Sequence, residues 1–434
     1  KLSFISLPFY FSSGDRKIYM HTPIAKKIRE IIAITCLMLM QSTGLWSNNA
    51  DALGNYLSLL VTKGNIHDPS GELTNLILFL DALSPGAREN DLEQLQPAWY
   101  ADLDWSVENT MTNASRIVSN NILARVREYR YSSACVPQDC VPYKNYWIAA
   151  MGGHLEQKRL QQLPAFHSND WGILSGFDFV LADWLTLGFM GGYTHTDLEW
   201  DHLRGDNSVH NFYIGPYFAW NRCGWIFDAS LLFGTQRFHT NREMKFGFVN
   251  RKVRNTHYGD SILCHAGLAK NYTCGFFEFS PYLMADYVFV HATGIKEKCR
   301  GRKKDCECSH EDTCIRALNL RIKSHNAQFF QGEAGVSLTG NFDCSTATVA
   351  PTVYVGYQNI TPIPDRNNEL KASLIKQPGC FTVKTTKEPI YQWTTGLFVN
   401  FYVQDWPEMS LSYDGVWGDK RREYCYTAEL DWSF

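Results

Sequence analysis

Long hydrophobic runs are almost absent from this sequence. Its 434 residues have a mean hydropathy of −0.27, and the longest largely apolar run is Ile31–Met40. A run of about ten apolar residues is half of what a helix needs to cross a bilayer, so a helical membrane protein is excluded. The formal net charge is only −3, so we expect no nucleic-acid partner.

Sequence signatures of catalysis are missing as well. The chain contains no nucleophile elbow, no phosphate-binding loop and no zinc-protease helix. It also lacks internal repeats of the kind that build a long solenoid. We therefore predict a protein that is not an enzyme and that needs no cofactor and no metal.

The short apolar run resembles part of an export signal. Lys26, Lys27 and Arg29 precede Ile31–Met40, and small residues follow at 42–44 and 50–52. This order is typical of a secretory signal peptide, which we assign to residues 20–52 with Met20 as the start. Residues 1–19 are then an untranslated or irregular leader. A buried helix of a soluble protein is the plainer alternative.

Alternation of apolar and polar residues dominates the second half of the chain. It predicts strands at 145–156, 170–182, 184–199, 207–220, 224–240, 257–271, 274–291, 322–339, 346–359, 389–403, 408–417 and 421–434. These twelve strands are long, as tilted membrane-crossing strands are. Aromatic residues make up 14% of the chain, which suits the aromatic girdles of an outer-membrane barrel.

The connections between these strands alternate in length. Short turns join every second pair, whereas most of the other connections are long and polar, the longest at 241–256, 292–321 and 360–388. Outer-membrane barrels have short periplasmic turns and long outer loops. We therefore predict an all-β fold, a twelve-stranded antiparallel outer-membrane barrel over residues 145–434. A soluble, secreted cysteine-rich β-protein is the plainer alternative.

The segment before the barrel has a different character. Residues 99–131 contain no glycine or proline and carry spaced apolar residues, which predicts one long helix. Asp104 and Glu108 lie four residues apart on it. We interpret them as charges lining a wet lumen rather than as an acid–base pair. Residues 53–98 have few strand signals and form a short N-terminal extension.

Taken in order, these segments resemble the translocator domain of autotransporters, the family of type V secretion. The junction sequences LILFLDALSPGARENDLEQLQPAWYADL at 76–103 and NNILARVREYR at 120–130 are similar to that family's lead-in and helix end. The resemblance implies that helix 99–131 threads the lumen and that residues 53–98 are a passenger remnant exported to the cell surface. The alternative is a pore or adhesin that acts through its long loops and exports nothing.

The family resemblance also implies a location and partners. We expect a monomeric barrel in the outer membrane of a Gram-negative bacterium, in contact with lipid and with the barrel assembly machinery. The last strand, YCYTAELDWSF, ends on an aromatic residue, and the alternate residues of its apolar face are similar to the signal that this machinery reads. Those residues are Tyr426, Leu430, Trp432 and Phe434.

One pair on the helix has a chemical interpretation. Asn120 and Asn121 resemble the self-cleavage junction of one autotransporter subgroup, in which an Asn side-chain amide attacks its own backbone carbonyl. Asn120 would be the nucleophile, assisted by an inward carboxylate. The candidates are Asp178, Glu278, Asp286 and Glu429. The plainer alternative is that both amides hydrogen-bond lumenal water and the wall.

The thirteen cysteines point to disulfides, since an exported protein is oxidised. Their spacing in the loop at 299–314 does not match the paired hooks of a zinc site. Basic residues at 296–304 could attract an anionic polysaccharide, or could simply be solvated. The candidate disulfide cysteines are Cys135, Cys140, Cys299, Cys306, Cys308 and Cys314.

Overall fold

The computed structural model describes most of the chain after residue 48. The described ranges are 49–62, 72–132, 144–161, 163–182, 184–201, 204–299, 318–344, 347–363, 369–375, 377–385, 388–403 and 406–434. The predicted signal peptide and leader lie almost entirely outside these ranges.

Within the described residues, twelve long strands form the wall of a closed antiparallel barrel. They are β1 (Lys144–Gln157), β2 (Phe166–Ala182), β3 (Leu185–Trp200), β4 (Arg204–Arg222), β5 (Trp225–Phe246), β6 (Val249–Lys270), β7 (Phe277–Ala292), β8 (His325–Gly340), β9 (Ala347–Pro362), β10 (Ile390–Val403), β11 (Glu408–Gly418) and β12 (Arg421–Ser433). Each strand pairs with its neighbours in sequence. The barrel closes where β1 pairs with β12, from Asn145 opposite Ser433 to Gln157 opposite Arg421. The predicted strand count is confirmed.

The two faces of the wall differ as the alternation predicts. Side chains that point outward include many large exposed apolar residues, which form a belt around the barrel. A sheet in water would hide such residues, so this belt suits contact with lipid. Its members include Ile173, Leu187, Phe189, Phe212, Ile214, Phe233, Leu283, Val353, Leu397 and Leu411.

The two rims of the barrel are different. At one rim, here called the turn end, the strands are joined by short connections. Cys223 and Gly224 between β4 and β5 both have positive φ, 51° and 76°, as a tight hairpin turn requires. Both ends of the barrel chain meet there, since the Lys144 and Phe434 backbones exchange two hydrogen bonds of 3.0 and 2.9 Å. The opposite rim is here called the loop end.

The loop end is more ordered than the sequence predicts. Residues 241–256, predicted as a loop, instead extend β5 and β6 as paired strands to a turn at Phe246–Val249. Parts of the other two long connections form a separate four-stranded sheet, here called the loop sheet. Its strands are Ile295–Lys296, Leu320–Ile322, Glu369–Leu374 and Phe381–Lys384.

The segment before the barrel is helical. It contains α1 (Asn49–Thr62), α2 (Glu72–Ala82), α3 (Pro85–Glu93), a 3-10 turn (Ala98–Ala101) and α4 (Asp102–Ser132). Helix α4 lies in the lumen, and the helix predicted at 99–131 is confirmed. None of the helices in the described ranges is long and apolar enough to cross a membrane.

Candidate functional site

The lumenal helix runs from the loop end of the barrel toward the turn end. Its first turn is at the loop end, where Trp200 Nε1 donates to Asp102 Oδ2 at 2.9 Å and His325 Nε2 lies 3.0 Å from Asp104 Oδ2. About five turns further on, the Asn121 amide donates to Glu429 of β12. All six of these side chains are buried. The helix therefore fills the lumen along most of its length.

The first polar layer below the loop end centres on Arg421 of β12. Its guanidinium donates to Glu108 Oε2 at 3.1 Å, to the Asn109 side-chain oxygen and to Glu423 Oε2 at 3.3 Å. Asn113 donates to the other oxygen of Glu423 at 2.6 Å. One buried cation therefore holds two carboxylates, one on the helix and one on the wall.

The second layer centres on Arg116 of α4. It donates to Glu333 Oε2 of β8 at 2.8 Å. The other oxygen of Glu333 accepts hydrogen bonds from Tyr282 at 2.7 Å and from Thr394 at 2.8 Å. Because every partner of Glu333 is a side chain from a different element, this carboxylate ties the helix to three strands of the wall.

The third layer lies almost one turn further along the helix, where Ser119 lines the same cavity as Arg116. Ser119 donates to Asp228 Oδ2 at 2.9 Å, and the same oxygen lies 2.8 Å from His265 Nε2. The other imidazole nitrogen of His265 lies 2.8 Å from Asp286 Oδ1. This Asp–His–Asp row is buried and reaches from β5 to β7. The serine bonds to a carboxylate rather than to the imidazole, so this is not the arrangement that activates a serine nucleophile.

The predicted self-cleavage pair is divided between two environments. The side-chain amide of Asn121, rather than that of Asn120, donates to Glu429, one of the carboxylates predicted to assist cleavage. Asn120 is half-buried and lines a cavity of about 60 Å³ whose wall includes Asp228. Sequence reasoning missed Asp228 because nothing in the local pattern distinguishes it from the other inward carboxylates. Cleavage at Asn120 stays a prediction.

Two of the other predicted carboxylates are already engaged. Asp178 accepts from Asn145 at 2.9 Å and from Tyr217 at 2.7 Å, both on the barrel wall. Asp286 contacts His265, as described above. Glu278 is buried near the turn end. No described hydrogen bond brings any of these three carboxylates to the Asn pair.

The predicted assembly signal lies on the outward face of β12. Tyr426, Leu430 and Phe434 are exposed, the last to 68%, and Trp432 packs beside Tyr146 with ring centroids 5.9 Å apart. Phe434 also approaches Phe177, with centroids 6.4 Å apart. The four residues therefore form one outward-facing row that ends at the turn end. Recognition by an assembly machinery stays a prediction.

The disulfide candidates fall mostly outside the described residues. Cys299 belongs to a two-residue strand that pairs with Val253–Arg254 of β6, and nothing more of it is described. In the described part of the chain, six cysteines are free: Cys223, Cys264, Cys274, Cys344, Cys380 and Cys425. The candidates outside the described residues are Cys135, Cys140, Cys306, Cys308 and Cys314, so the disulfide prediction stands as a prediction.

A feature that sequence reasoning missed lies at the loop end. Helices α1, α2 and α3 pack there, against the loop sheet and the tip of the β5–β6 hairpin; together they are here called the helical cap. The Tyr56 ring of α1 lies 5.1 Å from that of Phe381, and the Tyr56 hydroxyl donates to the Pro378 carbonyl at 3.1 Å. Burial raises the pKa of Tyr56, which keeps this donor protonated.

The remaining contacts at the loop end involve α2 and the chain that follows α3. Phe79 of α2 packs edge-on to Phe248 at the hairpin tip, with centroids 5.9 Å apart. Arg242 of β5 donates to the Gln94 carbonyl at 2.9 Å and to Glu297, which also accepts from Tyr100 at 2.9 Å. The sequence signal was the helical spacing of buried leucines. They are Leu53, Leu57, Leu60, Leu73, Leu76 and Leu80.

The comparison with protein families identifies the barrel. The family model described as the autotransporter beta-domain matches residues 146–414. This range covers more than half of the chain, so the chain belongs to the autotransporter β-domain family, whose members form outer-membrane translocator barrels. A search of curated proteins returned no match.

Solved structures agree with this fold. The translocator domain of the autotransporter NalP from Neisseria meningitidis aligns with a TM-score of 0.51 at 10% identity, over 74% of this chain and 98% of that one. The β-domain of the Bordetella autotransporter BrkA aligns at 15% identity over 67% of this chain and all of that one, with a TM-score of 0.49. The likeness to NalP, at 10% identity, supports the fold alone.

Proposed function

We propose that this protein is an autotransporter that carries its own N-terminal segment through the barrel to the cell surface. The observation that carries the proposal is the direction of α4, with Asp102 at the loop end and the following chain entering β1 at the turn end. Residues 49–101 therefore lie at the opposite rim from the start of β1. The lumen is the route that connects the two rims without crossing lipid.

We further propose that the exported segment is the helical cap and that it stays docked instead of being released. Three contacts support this: Tyr56 on Phe381, Phe79 on Phe248, and the buried group of Arg242, Glu297 and Tyr100. In the last group, Tyr100 and the Gln94 carbonyl belong to the exported segment, whereas Arg242 and Glu297 belong to the barrel and its loops. Undocking would cost each of these two buried charges one hydrogen bond, about 1.5–3 kcal/mol apiece. A docked cap accounts for the ordered loop sheet beneath it.

In this proposal the loop end faces outward, the apolar belt contacts outer-membrane lipid, and the barrel is monomeric and does no chemistry. Insertion would depend on the assembly machinery acting on the row that ends at Phe434. The alternative, a pore, would need the lumen to be clear. The buried ion pairs of Arg116 and Arg421 oppose that, because they hold the helix to the wall.

Native cysteines provide the test of orientation. Cys380 is exposed at the loop end, whereas Cys223, Cys274 and Cys344 are exposed at the turn end. A membrane-impermeant maleimide applied to intact cells, followed by peptide mass spectrometry, should modify Cys380 and spare the other three. All four should react after permeabilisation. Modification of the turn-end cysteines in intact cells, with Cys380 spared, would reverse the orientation and contradict the proposal.

Export of the helical cap needs a separate probe. Leu78 on α2 is 64% exposed, and Leu76, two residues away, is fully buried. In a Cys380→Ser background, Leu78→Cys should react with the impermeant maleimide on intact cells. Leu76→Cys should react only after unfolding, which reports that the cap is folded. Reaction of Leu78→Cys solely after permeabilisation would mean that the segment is not exported, even if the barrel orientation is as proposed.

A further inference from the structure

The outward face of the wall carries an unusual row of histidines near the loop end. One lies on each of the first five strands, beyond the apolar belt and close to carboxylates such as Asp197, Glu199 and Asp201. Neither the lumenal helix nor the helical cap uses them. The histidines are His154, His167, His195, His210 and His239.

Two members of the row face each other across neighbouring strands. His195 of β3 is paired in register with His210 of β4, and their Nδ1 atoms are 3.3 Å apart. Nε2 of His195 lies 3.1 Å from Asp197 Oδ1. The Asp197 carboxylate accepts a hydrogen bond from Nε2–H, so it selects the His195 tautomer whose Nδ1 carries a lone pair. That lone pair points at His210.

The Nδ1 atom of His210 has a second neighbour, the Tyr193 hydroxyl at 2.8 Å. When that hydroxyl donates, His210 Nδ1 also presents a lone pair, and two lone pairs then oppose each other. A cation that binds both nitrogens relieves this opposition, and it displaces the Tyr193 hydroxyl because an unprotonated imidazole nitrogen has a single lone pair. Two imidazole nitrogens bound to one tetrahedral Zn²⁺ at the usual bond length lie about 3.3–3.4 Å apart, which matches the observed distance.

We propose that His195 and His210 bind a transition-metal ion of the Zn²⁺ class on the outer wall, with Asp197 as the positioning residue for His195. His239 of β5 supplies a third ligand. Its ring centroid is 5.8 Å from that of His210, and its Nδ1 contacts the Thr256 hydroxyl at 3.0 Å, which leaves Nε2 for the metal. Within the described residues no three metal-binding side chains converge as they stand, so the His239 ring turns on binding and water completes the site.

Calorimetric titration of the full folded protein in detergent with Zn²⁺ tests the site. The thiols are alkylated first, because exposed cysteines would also bind zinc. The matched control is His291→Gln, since His291 is an outward histidine on β7 whose Nδ1 is taken by Asn326 at 2.6 Å. Wild type and the control should each bind one Zn²⁺ at this site. His195→Gln and His210→Gln should abolish that binding event, with heat-modifiable mobility verifying that both variants fold.

The role of Asp197 as a positioning residue is tested by a separate measurement. Asp197→Asn keeps both ligands but weakens the orientation of His195, and should weaken Zn²⁺ binding about 10-fold to 100-fold. Four indistinguishable isotherms from wild type, the control and the two histidine variants would overturn the site and leave the close pair as a hydrogen bond between imidazoles. An isotherm unchanged by His239→Gln would overturn the third ligand.

Discussion

Replacing Arg421 with methionine should lower the free energy of unfolding more than any other single change in the part of the lumen near the loop end. Arg421 is 2% exposed and makes three side-chain contacts, two with carboxylates and one with an amide. Methionine fills much of the same volume but carries no charge and donates no hydrogen bond. Glu108 on the helix would then lose its cation.

The size of the effect follows from which groups are left behind. Removing one partner of a buried ion pair costs about 3–5 kcal/mol, because the remaining charge stays buried without compensation. Here two carboxylates are left, Glu108 and Glu423, and among the described residues Glu423 keeps the hydrogen bond from Asn113. We therefore expect a loss in the free energy of unfolding near the upper end of that range.

Urea unfolding of the refolded protein in lipid vesicles, followed by tryptophan fluorescence, measures this loss. The matched control is Arg422→Met, because Arg422 is the next residue on β12 and points outward, away from the lumen. The control should change the free energy of unfolding by less than about 1 kcal/mol, as exposed pairs do. The double variant Arg421→Met/Glu108→Gln should lose less than the sum of the two single variants, because the two residues are coupled. Equal losses from Arg421→Met and Arg422→Met would refute the reasoning.

Three further predictions concern assembly, processing and oxidation. Deleting residues 432–434 should leave synthesis intact but abolish insertion, measured as outer-membrane levels by fractionation; normal levels would mean that the β12 row is no assembly signal. If the Asn pair cleaves itself, N-terminal sequencing of the membrane-embedded protein should find a new terminus at Asn121 that Asn120→Asp removes, and a mature chain that still begins near residues 45–53 rules cleavage out. Alkylation before and after reduction should show four oxidised thiols in the long loop, whereas four free thiols or bound zinc would contradict the disulfide assignment. Those four are Cys299, Cys306, Cys308 and Cys314.

The barrel wall could be predicted from the sequence because it rests on a local rule. Alternation along a single strand separates an apolar outward face from a polar lumen face without reference to any other strand, as in β12 with Tyr426, Ala428 and Leu430 against Thr427 and Glu429. The same local character applies to α4, whose composition alone favours a long helix. Predicted strand bounds differ from the observed ones chiefly at the loop end, where β5 and β6 continue past the expected loop at 241–256. The polar side chains of that hairpin weaken its alternation of apolar and polar residues, so the sequence pattern did not predict the two strand extensions.

The helical cap and the loop sheet could not be predicted in the same way. The strands of the loop sheet are two to six residues long and come from two different connections, so no local pattern marks them. They are stabilised by pairing with each other and by packing under α1. Such contacts join residues as distant as Tyr56 and Phe381, and they exist only once the barrel has brought the loops to one rim.

The sequence by itself therefore determined the class of fold, the strand number and the presence of a lumenal helix, because each depends on periodicity within one segment. Tertiary structure decided which charges meet. Arg421 could have paired with any inward carboxylate, and its choice of Glu108, 313 residues away, depends on the closing register of β12 with β1 and on the depth of α4 in the lumen. The same holds for His195 and His210, whose close approach is set by the register of β3 with β4. Pairing across a closed wall is a property of the whole barrel, so no single stretch of sequence records it.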